Sequence, residues 1–244
     1  MLNHSVFIHT FIKQEMNELH LYEEIMLLSL RDKEGTIHFG VHYPFALAGA
    51  IVAELLLKGK IAVETDRRRN FIAVVDGSPL GDPILDEILS KMGSARRRQQ
   101  VQPWVRRIAN MPGLKHRAAA GLVRKRILKM EEDKVLLIFR RKLYPEIDPR
   151  PEQRIVDRIH KAVFTDQRDI DPHTLVLIAI SDSTGLLRSN FDRKKLRERK
   201  RRIKNIVSGS LVGKATREAV EAMQAAVMVA AIIPAVTVAA TAGH

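Results

Sequence analysis

The 244 residues contain no cysteine. Disulfides, thiolate nucleophiles and Cys-ligated zinc are therefore excluded, and a reducing compartment is compatible with the chain. Aromatic residues make up only 5% of it, so Leu, Ile, Val and Ala must build the core. The first twenty residues show no basic region followed by an apolar run and a small-residue cleavage site, so no secretory signal is expected. Catalytic groupings are also missing. There is no Ser, His and Asp set at a recognisable elbow and no paired carboxylates in an evident cleft. GSLVGK (209–214) is one residue short of a P-loop and follows no strand. His38 and His42 are four apart, but they precede Pro44 in a stretch that does not read as helix, with no carboxylate nearby, so they do not read as metal ligands. The expectation is a protein that is not an enzyme and needs no cofactor.

Acidic residues are absent from one long stretch. Residues 96–126 carry ten Lys or Arg and no Asp or Glu, and residues 193–204 carry nine bases against Glu198 alone. The net charge is +13; these two segments exceed it, so the remainder is slightly acidic. Two basic patches on such a body imply a polyanionic partner, either an anionic membrane or nucleic acid. The run 193–204 repels itself unless anions sit nearby. In the other segment Trp104 stands beside Arg106 and Arg107, a combination suited to a membrane interface.

The organisation centres on residues 21–64. Leu21 to Leu30 predicts a helix that ends at Asp32-Lys33-Glu34-Gly35. A second helix follows Pro44, from about Phe45 to Leu57, and its only ionisable group is Glu54. A helix apolar all round belongs inside the protein. Gly59 can take the left-handed conformation that ends it. Ile61–Glu64 and Phe71–Val75 read as a hairpin, and Asp82 with Pro83 opens a helix running to Gly93. A short amphipathic helix is expected around Trp104–Ala109, another over Leu114–Val123, then a second hairpin with Glu131-Glu132-Asp133-Lys134 in its turn. LLLKGKIAVE and LVRKRILKME thus look like two copies of one helix-to-hairpin unit. Residues 152–164 place Ile155, Ile159, Ala162 and Val163 on one face; 173–181 read as a buried helix, 190–207 as a basic helix, and Thr216–Ala242 as a last, Ala-rich one. The class is mainly α, a buried central helix ringed by amphipathic helices with small β-hairpins. A single domain over 21–242 follows an N-terminal extension, 1–20.

Two further readings stay open. The helix-to-hairpin units resemble winged-helix modules, which would direct the charge to DNA; FALAGAIVAELLL offers no base-reading groups, while the second unit has Lys115, His116 and Arg117 for phosphates. Residues 222–242 carry no charge and are long enough to span a bilayer as a tail anchor; Gln224, Pro234 and the many alanines favour a buried helix.

The order of LYEEIMLLSLRDKEG, AELLLKGKIAVE, GDPILDEIL, VQPWVRRI, LVRKRIL and LVLIAISDSTGLL, followed by a basic helix and an Ala-rich one, resembles the Golgi phosphoprotein 3 family over roughly residues 20–235. That resemblance implies a peripheral membrane adaptor that binds phosphatidylinositol 4-phosphate on a flat basic face and links tails of membrane proteins to vesicle coats. It implies a cytoplasmic location, on the cytosolic face of the Golgi in a eukaryotic host. It also implies self-association through the hairpin at 135–147, with LLIFRRKLY in place of the family's hydrophobic hairpin. The family's lipid site uses a Trp after the DKEG turn and an Arg early in the next helix. Here the nearest aromatic is Phe39, and the Arg position falls near Ala48. Two more family arginines fall at Pro112 and Lys115, with Arg117 adjacent. The expected phosphate-facing residues are therefore Phe39, Lys115 and Arg117, with Arg106 and Arg107.

Overall fold

The structure, a computed structural model, describes residues 19–67, 69–135 and 139–208. In chain order the elements are Leu21–Ser29 (α1), Tyr43–Leu57 (α2), Ile61–Asp66 (β1), Arg69–Val74 (β2), Pro83–Gly93 (α3), Val101–Ala109 (α4), Leu114–Arg124 (α5), Glu131–Val135 (β3), Phe139–Leu143 (β4), Arg150–Phe164 (α6), Pro172–Thr184 (α7), Leu186–Asn190 (α8), Arg193–Glu198 (α9) and Lys200–Val207 (α10). The mainly α class holds, with two small antiparallel hairpins, β1–β2 and β3–β4. The Ala-rich stretch 216–242, GSLVGK and most of the 1–20 extension lie outside the described residues. Leu19 and His20, assigned to that extension, pack with the domain.

The helix α2 is the centre, as its composition requires. Ala46 to Leu56 are buried without interruption, and α1, α4 and α7 pack around them. Pro44 sits inside the first turn, where its missing N–H costs nothing, so the helix starts at Tyr43. Around this axis the amphipathic helices turn their apolar faces inward. In α3 these are Ile84, Leu85, Ile88, Leu89 and Met92, after Asp82 has accepted from the Ile84 and Leu85 amides at 3.0 and 2.9 Å. In α6, Ile155, Ile159, Ala162 and Val163 are all buried.

Both α2 and α5 end in the same motif. Gly59 N–H donates to Leu56 O and Lys60 N–H to Leu55 O; Arg126 N–H donates to Val123 O and Ile127 N–H to Leu122 O. This pair of bonds is the Schellman closure, which needs a left-handed residue just past the helix. Gly59 fills that place at φ 65°, and Arg126 fills it at φ 58°.

Two expectations are corrected. Glu131–Lys134 do not form the second turn: they lie in β3, paired in register with β4 so that Glu132 faces Lys142 and Asp133 faces Arg141. Opposite charges stabilise such a solvated ribbon, and Arg141 donates to Asp133 at 3.1 Å. The basic helix of 190–207 is also not continuous. Asp192 caps α9 by accepting from the Lys194 and Lys195 amides, and the chain breaks again at Arg199 before α10.

Candidate functional site

The corner between α4 and α5 gathers most of the expected residues. Pro112 and Gly113 (φ 68°) stop one helix and start the next, leaving Arg106 and Arg107 in the last turn of α4 and Lys115 to Arg117 in the first turn of α5. A helix N-terminus carries unsatisfied amides and partial positive charge, so the first turn of α5 already favours an anion. Lys115 adds a half-buried ammonium there. Burial, and then the neighbouring Arg141 charge, hold its pKa below the usual lysine range. Among the described residues no carboxylate pairs with it. His116 bonds the Tyr144 hydroxyl through Nδ1 at 2.9 Å, and burial followed by the Lys115 and Lys142 charges lowers its pKa. The corner is thus a small positive field built by the start of α5 and the end of β4.

The other candidates are distributed differently. Arg117 is engaged: its guanidinium pairs with Glu87, which also takes Lys91, and these two bonds draw the Glu87 carboxyl below its ordinary pKa. Arg106 and Arg107 are exposed, and Arg107 lies over the Trp104 ring at 4.7 Å. Trp104 itself is 2% exposed. It is a core residue and not the interfacial aromatic expected from its neighbours, because α4 turns that face onto α2. Phe39 is fully exposed on the loop before α2, which is fastened to the end of α7 by the His42 amide donating to Thr184 O at 3.1 Å. No described contact joins Phe39 to Lys115.

The second basic segment is partly consumed by the fold. Arg199 donates to Phe164 O at 2.9 Å, and Arg202 Nε donates to Ala162 O at 2.7 Å, so two arginines close the carbonyl end of α6. The remaining bases face solvent. Arg188, Arg193, Arg197, Lys200 and Lys204 rim a groove of about 670 Å³ whose floor is Leu196, Ile203 and Val207.

Buried charge is the feature least visible from sequence. Glu54 in α2 accepts from the Leu21 amide at 2.9 Å and contacts His20 Nδ1 at 3.3 Å. Burial pushes its carboxyl up, but the His20 and Leu21 bonds outweigh this and leave it below the ordinary value. Glu24 bonds Arg158 at 2.6 Å, with His173 at 3.8 Å; burial nonetheless raises it. Glu23 pairs with Lys125 and accepts from the His20 amide. The Glu23-Glu24 pair in the first turn of α1 is the local signal, an N-terminal acidic pattern that fits a capping box. These contacts hold α1 between α2, α5 and α6, and Glu24 and Glu54 also line a cavity of about 500 Å³ together with Arg158 and His173.

The family model of Golgi phosphoprotein 3 (GPP34) matches residues 21–223. Vacuolar protein sorting-associated protein 74 of Eremothecium gossypii is 34% identical over 160 residues, covering 58% of this chain and 48% of that protein. The alignment thus spans about half the length of the relative. Among the described residues no helix is long and apolar enough to cross a membrane.

Proposed function

The chain belongs to the Golgi phosphoprotein 3 (GPP34) family, and we propose that it is a peripheral membrane adaptor that docks on anionic phospholipid. A phosphoinositide such as phosphatidylinositol 4-phosphate is the headgroup the reading favours. The observation that carries it is Lys115: a half-buried cation beside Arg141, at a helix N-terminus, with no described carboxylate to neutralise it. In this reading a headgroup phosphate supplies the missing counter-charge. Arg106, Arg107 and the exposed lysines and arginines of α9 and α10 add a diffuse attraction of about 1 kcal/mol each near an anionic surface. A handful of these gives reversible docking. Arg117, held by Glu87, orders the corner rather than meeting the lipid, and Phe39 is an apolar side chain free to enter the bilayer.

The protein would then work on a cytosolic membrane face, at the Golgi in a eukaryotic host, with tails of membrane proteins as its cargo. The relative's name, in vacuolar sorting, agrees with such a role. Self-association through 135–147 belongs to the same proposal. No reaction is proposed, since the family reading points to binding.

Vesicle flotation tests this. Phosphatidylcholine vesicles carrying a phosphoinositide should retain the protein, plain ones should not, and Lys115→Gln should weaken retention about tenfold. Equal binding to neutral and anionic vesicles in low salt would sink the idea. Displacement from vesicles by duplex DNA with sequence preference would turn the reading toward nucleic acid.

A further inference from the structure

A second cluster of cations lies at the opposite end of α5. There Lys125 and Arg126 leave the helix beside a cavity of about 470 Å³, lined also by Ile147, Asp148, Arg150 and Arg154. Not all of these charges are available. Lys125 pairs with Glu23. Arg150 is held by both oxygens of Asp148, at 2.8 Å each, and that bond drives the Asp148 carboxyl down to about 2. The side chains of Arg126 and Arg154 make no hydrogen bond or close ion pair among the described residues, although Asp148 lies within electrostatic reach of Arg154. Two guanidiniums without a bonded partner therefore border one cavity, and the first turn of the fifteen-residue α6 opens on it.

The backbone at Arg126 supplies an independent observation. It occupies the left-handed place of the Schellman closure, at φ 58°, where the equivalent closure of α2 uses Gly59. Glycine fits that conformation without penalty and arginine does not. A strained residue that glycine could replace points to a use for its side chain. Ile147, on the rim of the same cavity, is a large apolar residue left 52% exposed, and Met130 is equally exposed. A soluble anion has no need of an apolar rim. A lipid does.

We propose that this cavity binds the phosphate monoester of an anionic lipid headgroup, with Arg126 and Arg154 as its ligands and Ile147 entering the acyl region. The site is separate from the Lys115 corner and rests on the membrane-docking reading only for the source of the phosphate. A guanidinium suits the role because its planar fork can meet two phosphate oxygens at once.

The test uses the full chain and two probes: phosphatidylcholine vesicles carrying a phosphoinositide, and inositol 1,4-bisphosphate free in solution. Vesicles of phosphatidylserine at matched surface charge serve as the reference. Arg126→Gly and Arg154→Gln should each lower the preference for phosphoinositide over phosphatidylserine about tenfold, and Arg126→Lys should keep part of it. Arg126→Gly should at the same time raise the melting temperature by roughly 2–4 °C, which separates lost binding from lost folding. Ile147→Ser should shorten residence on vesicles and leave binding of the free headgroup unchanged. Unaltered preference in both arginine variants overturns the site. Free inositol bisphosphate binding as tightly as the vesicle overturns the lipid as the source. Failure of the wild type on every anionic vesicle removes the docking reading instead, and binding of the free headgroup through Arg126 and Arg154 is then read on its own.

Discussion

The α2–β1–β2 and α5–β3–β4 units leave their helices by the same two backbone bonds and then diverge at each equivalent position. The residue before the first acceptor is Glu54 in one unit and Gly121 in the other. Glu54 reaches across to hold the start of α1; Gly121 has no side chain, and an added Cβ would come within 2.8 Å of the Glu23 carboxylate that fills the space. The left-handed place is Gly59 in one and Arg126 in the other. Beyond it, β1–β2 covers the core with Ile61, Val63 and Ile72, whereas Glu131, Glu132, Arg141 and Lys142 keep β3–β4 in water. The bracing differs as well. Lys60, itself buried, donates to Asp76 and Ser78 at 2.6 Å, while Glu146 and Glu152 share a hydrogen bond beside Asp32. One backbone plan therefore serves either as core or as a surface that presents cations, and burial decides which.

The comparison can be broken or sharpened by experiment. The second unit relies on a glycine outside itself. Gly35, at φ 58°, lies directly against the Tyr144 and Pro145 backbone, so Gly35→Ala should cost about 3 kcal/mol in urea unfolding. Glu54→Ala leaves the Leu21 amide and His20 without their acceptor and should cost about 2 kcal/mol by the same measurement; a smaller loss than Gly121→Ala would show that the two positions are not counterparts.

The two braces should also answer pH in opposite directions. Burial, and then the Asp32 charge, push Glu152 up to about 9 and Glu146 to about 7. The folded state therefore keeps protons that the unfolded chain has already released, and stability falls as pH rises from the ordinary carboxylate range towards about 9. Screening by solvent at this partly exposed pair reduces the decline to about 1–2 kcal/mol between about pH 6 and 9, and Glu152→Gln should flatten it in a series of melting curves. Asp76 is drawn down to about 2 by Lys60; its contribution is present above the ordinary value and is lost only as pH falls through about 2. The smallest effect is the exchange of left-handed residues. Gly59→Arg should cost about 1 kcal/mol and Arg126→Gly should gain about as much.

Elements whose signal is local were legible in the sequence. The all-round apolar α2, the Asp82-Pro83 start of α3 and the inward face of α6 each follow from residue types at a fixed period. The repeat of the helix-to-hairpin unit was visible too, through Lys58-Gly59 and Lys125-Arg126. What depended on distant partners was not. Glu131–Lys134 lack apolar alternation because β3 faces water, so their strand shows only in the register with Lys142 and Arg141. Arg117 looked free until Glu87, thirty residues away, was placed beside it, and Trp104 looked interfacial until α4 was rotated onto α2. Of the candidate site, the sequence singled out Lys115, but its lack of a counter-charge is a fact of three-dimensional neighbours.

The uninterrupted burial of Ala46 to Leu56 has a consequence for how this molecule opens. Amide protons in an enclosed helix reach solvent only when the whole domain unfolds, whereas those of β3–β4 and of the loop around Phe39 can exchange through small local excursions. In deuterium, then, the slowest amides of α2 report the global unfolding free energy directly. An agent that slows exchange at the periphery and leaves those amides alone has tightened a surface without stabilising the fold.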